Sequence, residues 1–184
     1  MAAIPSASIG GVTTLERYPI PPEKKARMLA FLAMAWDGQW FLKVYEEYGW
    51  DAAARLNARV RAAFGRIEMR RMLRALGKPA ADDVIDAARI IHTYFRDVLA
   101  AGFDAEFVAE GERVEVIVTR CAALSGAKRA NLERHDQSCV ACPGLWRAYV
   151  DVLLPDTPVE IEIREQMGYG APKCHVVIYA RRRG

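Results

Sequence analysis

Cysteine is the residue type in this sequence best suited to chemistry, and its four copies are unevenly spaced. Cys139 and Cys142 form a C-x2-C pair, Cys121 precedes them in the same stretch, and Cys174 follows in the last apolar run. A C-x2-C pair directs two thiolates to one metal ion, and two further thiolates complete a tetrahedron. Four cysteines also suffice for a 4Fe–4S cluster. The spacing therefore predicts one metal centre ligated by all four cysteines, with zinc as the first choice and the iron–sulfur cluster as the alternative.

A simpler interpretation of the same cysteines competes with the metal site. Free cysteine is among the most buried residue types, and a single thiol often only fills space in a core. This applies most to Cys174, which lies inside an apolar run, and a second C-x2-C pair at zinc-ribbon spacing is absent from the sequence. The metal prediction therefore depends on the pair formed by Cys139 and Cys142.

Two histidines are close to these cysteines in the sequence. His135 precedes Cys139 by four residues, and His175 directly follows Cys174. A neutral imidazole is a common zinc ligand, and it also carries protons near neutral pH. Either histidine is therefore a candidate for an additional metal ligand or a proton carrier.

Composition and charge exclude several classes of protein. Of the 184 residues, 52% are hydrophobic and 27% charged, as in ordinary globular domains, and a net charge of +3 is too small to predict nucleic-acid binding. No apolar run approaches the roughly 20 residues of a membrane helix, and the N-terminus lacks the pattern of a signal peptide. We therefore expect a cytoplasmic protein that binds neither nucleic acid nor membrane, in a compartment that disfavours disulfides. The oligomeric state stays open, with a homodimer as one alternative.

The N-terminal half of the sequence has helical periodicity. Residues 1–20 are expected to form a loose arm, and residues 21–184 a single domain. A helix is predicted to begin at Pro22, to be interrupted at residues 37–38 and to stop at Gly49. A long helix then extends to about residue 76, and another covers residues 81–99. The predicted buried side of the long helix consists of Leu56, Val60, Phe64 and Ile67.

At Gly102 the spacing of the hydrophobic residues changes from the helical period of 3.6 residues to the strand period of 2 residues. Strands are predicted over residues 103–109 and 112–121, then over 159–164 and 173–180, with short helices between the two pairs. This order of elements predicts an α+β fold. Its N-terminal helices pack on an antiparallel sheet of about four strands, made of two hairpins joined by a helical crossover.

Antiparallel pairing of the second and fourth predicted strands would bring the cysteines together. Cys121 ends the second strand and Cys174 begins the fourth, so these two residues would lie at the same end of the sheet. The C-x2-C pair falls in the crossover at that end. The topology therefore predicts all four sulfurs at one corner of the sheet.

The motifs also resemble a known family. The segment DGQWFL at residues 37–42 leads to EYG at 47–49, a strand ends in Cys121, a cysteine precedes a helix, and Gly168-x5-Cys174 enters the final strand. Together they resemble the L-2-amino-thiazoline-4-carboxylic acid hydrolase-like family and the wider set of 4-vinyl reductase-like small-molecule-binding domains, over about residues 22–181. The resemblance implies an apolar ligand pocket beside a zinc site, with Cys121, Cys142 and Cys174 as ligands and no counterpart for Cys139.

Three functions remain open at this point. In the first, the chain is a binding module in which zinc stabilises the sheet corner and an aromatic pocket holds an apolar small molecule. In the second, it is a hydrolase that uses a cysteine nucleophile or metal-activated water, with His135 or His175 as the proton carrier. In the third, it is an iron–sulfur redox protein. The aromatic residues predicted for the pocket, which would otherwise belong to the core, are Trp36, Trp40, Phe41, Trp146 and Tyr149.

Overall fold

The computed structural model describes residues 17–99 and 102–181. Most of the predicted N-terminal arm, residues 1–16, lies outside these ranges, and residues 17–20 have no regular secondary structure. The helices are α1 (Pro22–Leu76), α2 (Val84–Thr93), α3 (Ala122–Arg129) and α4 (Cys142–Leu153), and the strands are β1 (Phe103–Glu110), β2 (Arg113–Cys121), β3 (Val159–Glu165) and β4 (Cys174–Ala180). A turn of π-helix, Tyr94–Val98, extends α2, and 3-10 turns occupy His135–Ala141 and Met167–Tyr169.

The four strands form one antiparallel sheet in the order β1-β2-β4-β3. This confirms the predicted α+β fold, with a helical crossover between two hairpins. In β2 the side chains of Val114, Val116 and Val118 are buried and alternate with more exposed neighbours. The period-2 pattern of β2 therefore assigned its inner face correctly, because successive side chains of a strand point to opposite faces.

Helices cover the inner face of this sheet, and the outer face carries charged residues around the fully buried Val177. The outer face carries Glu115, His175 and Glu162, and His175 Nε2 lies 2.8 Å from Glu115 Oε2. On the inner face, α2, α4 and the second half of α1 contribute to one continuous core. Its largest fully buried members are Tyr149, Met69, Ile91, Leu153 and Ile178.

Helix α1 differs from the prediction at Gly38 and follows it at Gly49. The helix continues through Gly38 without interruption, but Gly49 has non-helical dihedral angles of φ 77° and ψ 177°. A positive φ is accessible to glycine at little steric cost, so Gly49 lets the chain turn sharply. As a result, the ring centroids of Phe41 and Trp50 lie only 5.7 Å apart although eight residues separate them.

The predicted buried side of the second half of α1 is wrong. Val60, Phe64 and Ile67 are 41–48% exposed. The buried side instead carries Gly65, Glu68 and small or flexible apolar residues. At Gly65 a β-carbon would lie 2.8 Å from Leu145 Cδ1, so the absence of a side chain lets α4 approach closely. Helix packing, rather than hydrophobic periodicity, therefore selected the inner side of this helix.

Among the described residues, Glu68 is the one buried charged residue, and two tyrosines stabilise it. The hydroxyl of Tyr94 donates to Glu68 Oε1 at 2.6 Å, and the hydroxyl of Tyr149 donates to Oε2 at 2.8 Å. Burial, followed by the charge of Glu68, raises the pKa of both tyrosines, which therefore remain donors. This network connects α1, α4 and the π-helical turn within the core.

We predict that Tyr149→Phe lowers the free energy of unfolding by about 1.5–3 kcal/mol, because it removes a hydrogen bond to a buried carboxyl group. Tyr179→Phe is the matched control, since its hydroxyl also donates to a carboxyl group, that of Glu162, but on the outer face of the sheet. The control should lose less than about 1 kcal/mol. Equal losses in urea unfolding of the two variants would contradict a special role for the buried network.

Candidate functional site

Strand pairing brings two of the four cysteines to the same end of the sheet. Strand β2 pairs antiparallel with β4, and Val118 of β2 lies opposite Cys174. Cys121 ends β2 three residues further on. The pairing of the second and fourth strands, on which the predicted corner depended, is therefore confirmed.

A bulge in β2 turns Cys121 toward the inner face. Asp104 pairs with Arg120 and Ala105 pairs with Val118, so Thr119 has no partner in β1. One extra residue reverses the alternation of side chains beyond it. Cys121 therefore lies on the same face as Val118, where uninterrupted alternation would have directed it outward. Burial raises the pKa of its thiol.

Cys139 is the centre of a group of three neighbouring thiols. It is buried, and its thiol hydrogen-bonds the thiols of Cys142 and Cys174. The bond with Cys142 is the main cause that raises the pKa of Cys139 to about 11; the bond with Cys174 lowers this pKa and burial raises it. The hydrogen bond with Cys139 and burial also raise the pKa of Cys174. The thiols of Cys139 and Cys174 are therefore protonated at neutral pH.

The turn before β4 supplies backbone donors to this cysteine cluster, which we define as Cys139, Cys142 and Cys174. Met167 N–H donates to Cys174 Sγ at 3.3 Å, and Gly168 N–H donates to Cys139 Sγ at 3.2 Å. A β-carbon at Gly168 would lie 2.5 Å from Cys139 Sγ. Only glycine fits at this position without a shift, so the backbone donors can approach the sulfurs closely.

The histidines are not part of this cluster. His175 directs its ring to the outer face, where it contacts Glu115, and Nδ1 of His135 lies 3.0 Å from the carbonyl oxygen of Leu132. Within residues 17–99 and 102–181, no group of three or more His, Cys, Asp or Glu side chains has the arrangement of a formed metal site. The structure thus brings three cysteines together and places Cys121 near Cys174, without showing a metal centre.

A cavity of about 510 Å³ lies on the other side of the segment that carries Cys139. It is open on one side and is lined by the first half of α1, the start of its second half, α3 and the 3-10 turn His135–Ala141. Ligand pockets of small-molecule-binding proteins have volumes of about 300–1,000 Å³. The larger apolar residues that line the cavity are Phe31, Met34, Phe41, Leu42, Trp50, Leu132 and Val140.

Of the five aromatic residues expected in a pocket, Phe41 lines this cavity. Trp146 and Tyr149 are buried in the core, and Trp36 and Trp40 are exposed on the surface of α1. Sequence reasoning did not select Trp50, although it directly follows the turn at Gly49. Its contact with Phe41 depends on the bend in α1, which the local sequence around Trp50 does not specify.

Polar groups in the cavity wall are few. The polar residues that line it are Asp37, Gln39, Asn57, Arg129, Gln137 and Ser138. Ser138 Oγ is buried and has no hydrogen-bond partner in the described structure. A β-carbon at Gly168 would lie 2.8 Å from this oxygen, so the hydroxyl packs against the turn before β4 and does not open into the cavity.

One segment, His135–Ala141, separates the cavity from the cysteine cluster. Ser138 and Val140 line the cavity, while Cys139 between them belongs to the cluster. Arg134 anchors the start of this segment, because its guanidinium lies 5.9 Å from the Trp50 ring centroid and 3.2 Å from Asp51 Oδ1. The two candidate sites therefore share a wall.

This chain is similar to known proteins in its structure but not in its sequence. No family model and no curated protein matches the chain, while 14 chains of solved structures do. One is subunit 3 of the trafficking protein particle complex from Naegleria fowleri, covalently bound to palmitic acid. It has a TM-score of 0.54 and 12% sequence identity, over 87% of this chain and 97% of that chain. At this identity the similarity concerns the fold.

A second match is the phenol-responsive sensory domain of the transcription activator PoxR with phenol. Its TM-score is 0.49 and its identity 12%, over 95% of this chain and 80% of that chain.

No helix in residues 17–99 and 102–181 combines the length and apolar character needed to cross a membrane.

We predict that Gly168→Ala destabilises the protein by about 1–3 kcal/mol, because the added methyl group collides with Cys139 Sγ and with its backbone nitrogen. Gly38→Ala is the control, since a β-carbon there meets nothing within 4 Å and alanine is the better helix former. In thermal unfolding, the melting temperature of Gly168→Ala should lie below that of the wild type, and the melting temperature of Gly38→Ala should lie above it. An unchanged Gly168→Ala variant would contradict the close packing of the turn against the cysteines.

Proposed function

We propose that this protein is a small-molecule-binding domain whose ligand occupies the 510 Å³ cavity. The observation that supports this most directly is the cavity itself, whose volume lies in the range of ligand pockets and whose wall is mainly apolar. Apolar walls with few polar groups are typical of ligand pockets, where the polar groups orient the ligand. The matching trafficking subunit is covalently bound to palmitic acid, which makes an acyl chain a rational first probe.

The lining defines the chemistry of the ligand. The aromatic rings of Phe31, Phe41 and Trp50 favour a ligand whose apolar part is either an aromatic ring or a flexible hydrocarbon chain. The side-chain amides of Asn57 and Gln137 in the wall can donate and accept hydrogen bonds. We therefore propose an apolar molecule that carries a polar group, such as a hydroxyl or a carboxyl.

We further propose that the cysteine cluster holds a zinc ion, with Cys139, Cys142 and Cys174 as ligands and Cys121 as the fourth. Two features support this part of the proposal. The donors are soft sulfurs on a C-x2-C pair, and backbone N–H groups already approach two of them, as outer hydrogen bonds do in metal sites. Zinc would supply structural cross-linking of the sheet corner rather than chemistry.

The hydrolase alternative is less well supported. A nucleophilic cysteine requires a lowered pKa, because the thiolate is the reactive form. The pKa values of Cys121, Cys139 and Cys174 are raised instead. We accordingly propose that this domain binds its ligand without converting it, that it belongs to the 4-vinyl reductase-like binding domains, and that it acts in the cytoplasm, where free thiols persist.

The cavity is tested with palmitate and phenol as probes in isothermal titration calorimetry. Gly126 lines the cavity, and a β-carbon there meets nothing within 4 Å. Gly126→Leu should therefore fill the cavity and weaken binding by at least about tenfold. Lys128→Leu, an exposed position of the same helix outside the cavity, should bind as the wild type does. Equal binding by the two variants, or no binding of either probe to the wild type, would refute the cavity as the site.

The metal is tested by elemental analysis of protein purified without oxygen. We expect one zinc per chain, sulfur–zinc distances of about 2.3 Å in X-ray absorption, and loss of zinc in Cys139→Ala and Cys142→Ala. Affinity should increase as the pH rises from 6 toward 9, because the metal must displace thiol protons whose pKa in the folded protein is raised. A brown, iron-containing protein would favour the cluster instead. Full zinc content in both variants would refute this ligand set.

A further inference from the structure

The first half of α1, residues 22–48, is apolar on two sides. One side lines the cavity through Phe31, Met34 and Phe41. A second stripe of large apolar side chains is 42–78% exposed, and we call it the α1 stripe: Met28, Leu29, Leu32, Trp36 and Trp40. A helix that is apolar all round is normally covered on every side.

The α1 stripe is continuous. At 100° per residue, its five side chains fall within a sector of about 120°. Trp36 lies at its centre, and neither Trp36 nor Trp40 lines the cavity. The stripe is therefore a surface of its own and not the rim of the ligand site.

The area of the α1 stripe suits a protein interface. Its two tryptophans alone expose roughly 300 Å². The three aliphatic side chains and the stems of the flanking charged residues bring the patch to the order of the ~800 Å² that each partner buries in a standard interface. Patches of this size on a monomer commonly mark interaction sites.

The charges at the two ends of the stripe have opposite signs. Lys24 and Lys25 stand at its N-terminal end, and Glu46 and Glu47 at its C-terminal end. Lys25 and Glu47 lie in the same sector as the stripe, about 33 Å apart along the helix. Both are exposed, and neither forms an ion pair within the described residues.

We propose that two copies of this chain associate through the α1 stripe as an antiparallel pair of helices related by a two-fold axis at Trp36. Such an interface uses the same surface on both copies. In this register Trp36 faces the partner copy's tryptophan at the same position, Leu32 faces Trp40, and Lys25 faces Glu47 at each end. A parallel arrangement would instead place like charges together, which is unfavourable.

A lipid surface is the other occupant to consider for an exposed apolar stripe with tryptophans. Helices that lie on membranes carry lysine and arginine around the apolar face, which attract anionic lipid. Here the C-terminal end of the stripe is acidic, so its charges favour a second copy over an anionic bilayer.

Sedimentation equilibrium of the full chain tests the dimer. The wild type should be dimeric at micromolar concentration, and Trp36→Glu should raise the dissociation constant by about a hundredfold or more, since it places a charge at the centre of the interface. Val108→Glu is the control, because Val108 is also an exposed apolar residue, at 54%, but lies on β1 outside the α1 stripe. The control should remain dimeric. A monomeric wild type, or a dimeric Trp36→Glu variant, would overturn the proposal.

Charge reversal tests the register. K25E and E47K should each weaken the dimer roughly tenfold, because both ends then oppose like charges. Mixing the two variants should restore association, since every facing pair in the mixed dimer is again opposite in sign. Failure of the mixture to associate, or binding of the wild type to vesicles of anionic phospholipid as a monomer, would refute the antiparallel pair.

Discussion

The antiparallel pairing of β2 with β4 is the constraint on which the candidate site depends. It places the C-terminal end of β2 beside the start of β4, with Val118 opposite Cys174. The crossover leaves the sheet at Cys121 and re-enters it at Val159, which pairs with Ala180 at the opposite end. The turn before β4 returns to the first end, where Gly168 N–H donates to Cys139 Sγ in the 3-10 turn. Strand pairing and this contact together bring Cys139 and Cys174 to one end of the sheet.

Two glycines then determine how closely the remaining parts approach. Gly168 lets the turn before β4 donate backbone hydrogen bonds to the sulfurs, at a distance that a methyl group would prevent. Gly49 adopts a left-handed φ and bends α1, so that Phe41 and Trp50 meet at the cavity. In both places the backbone requires glycine, first for space and then for conformation.

The two candidate sites share a wall. Gln137, Ser138 and Val140 line the cavity, while Cys139 among them belongs to the cysteine cluster. The guanidinium of Arg134, at the start of this segment, lies 5.9 Å from the Trp50 ring centroid. The position of one short 3-10 turn therefore affects the geometry of both sites.

The sequence by itself determined the class of fold and the location of the cysteines at one end of the sheet. The alternation of Val114, Val116 and Val118 defined β2, because a half-buried strand has a period of two. Tertiary structure alone decided which side of α1 is buried, since several of its sides are apolar and only the close approach of α4 at Gly65 distinguishes them. Tertiary structure also decided where the cavity forms, because the turn at Gly49 brings separate parts of α1 together. The inward direction of Cys121 depends on a bulge in β2, which becomes visible only in the register between β1 and β2.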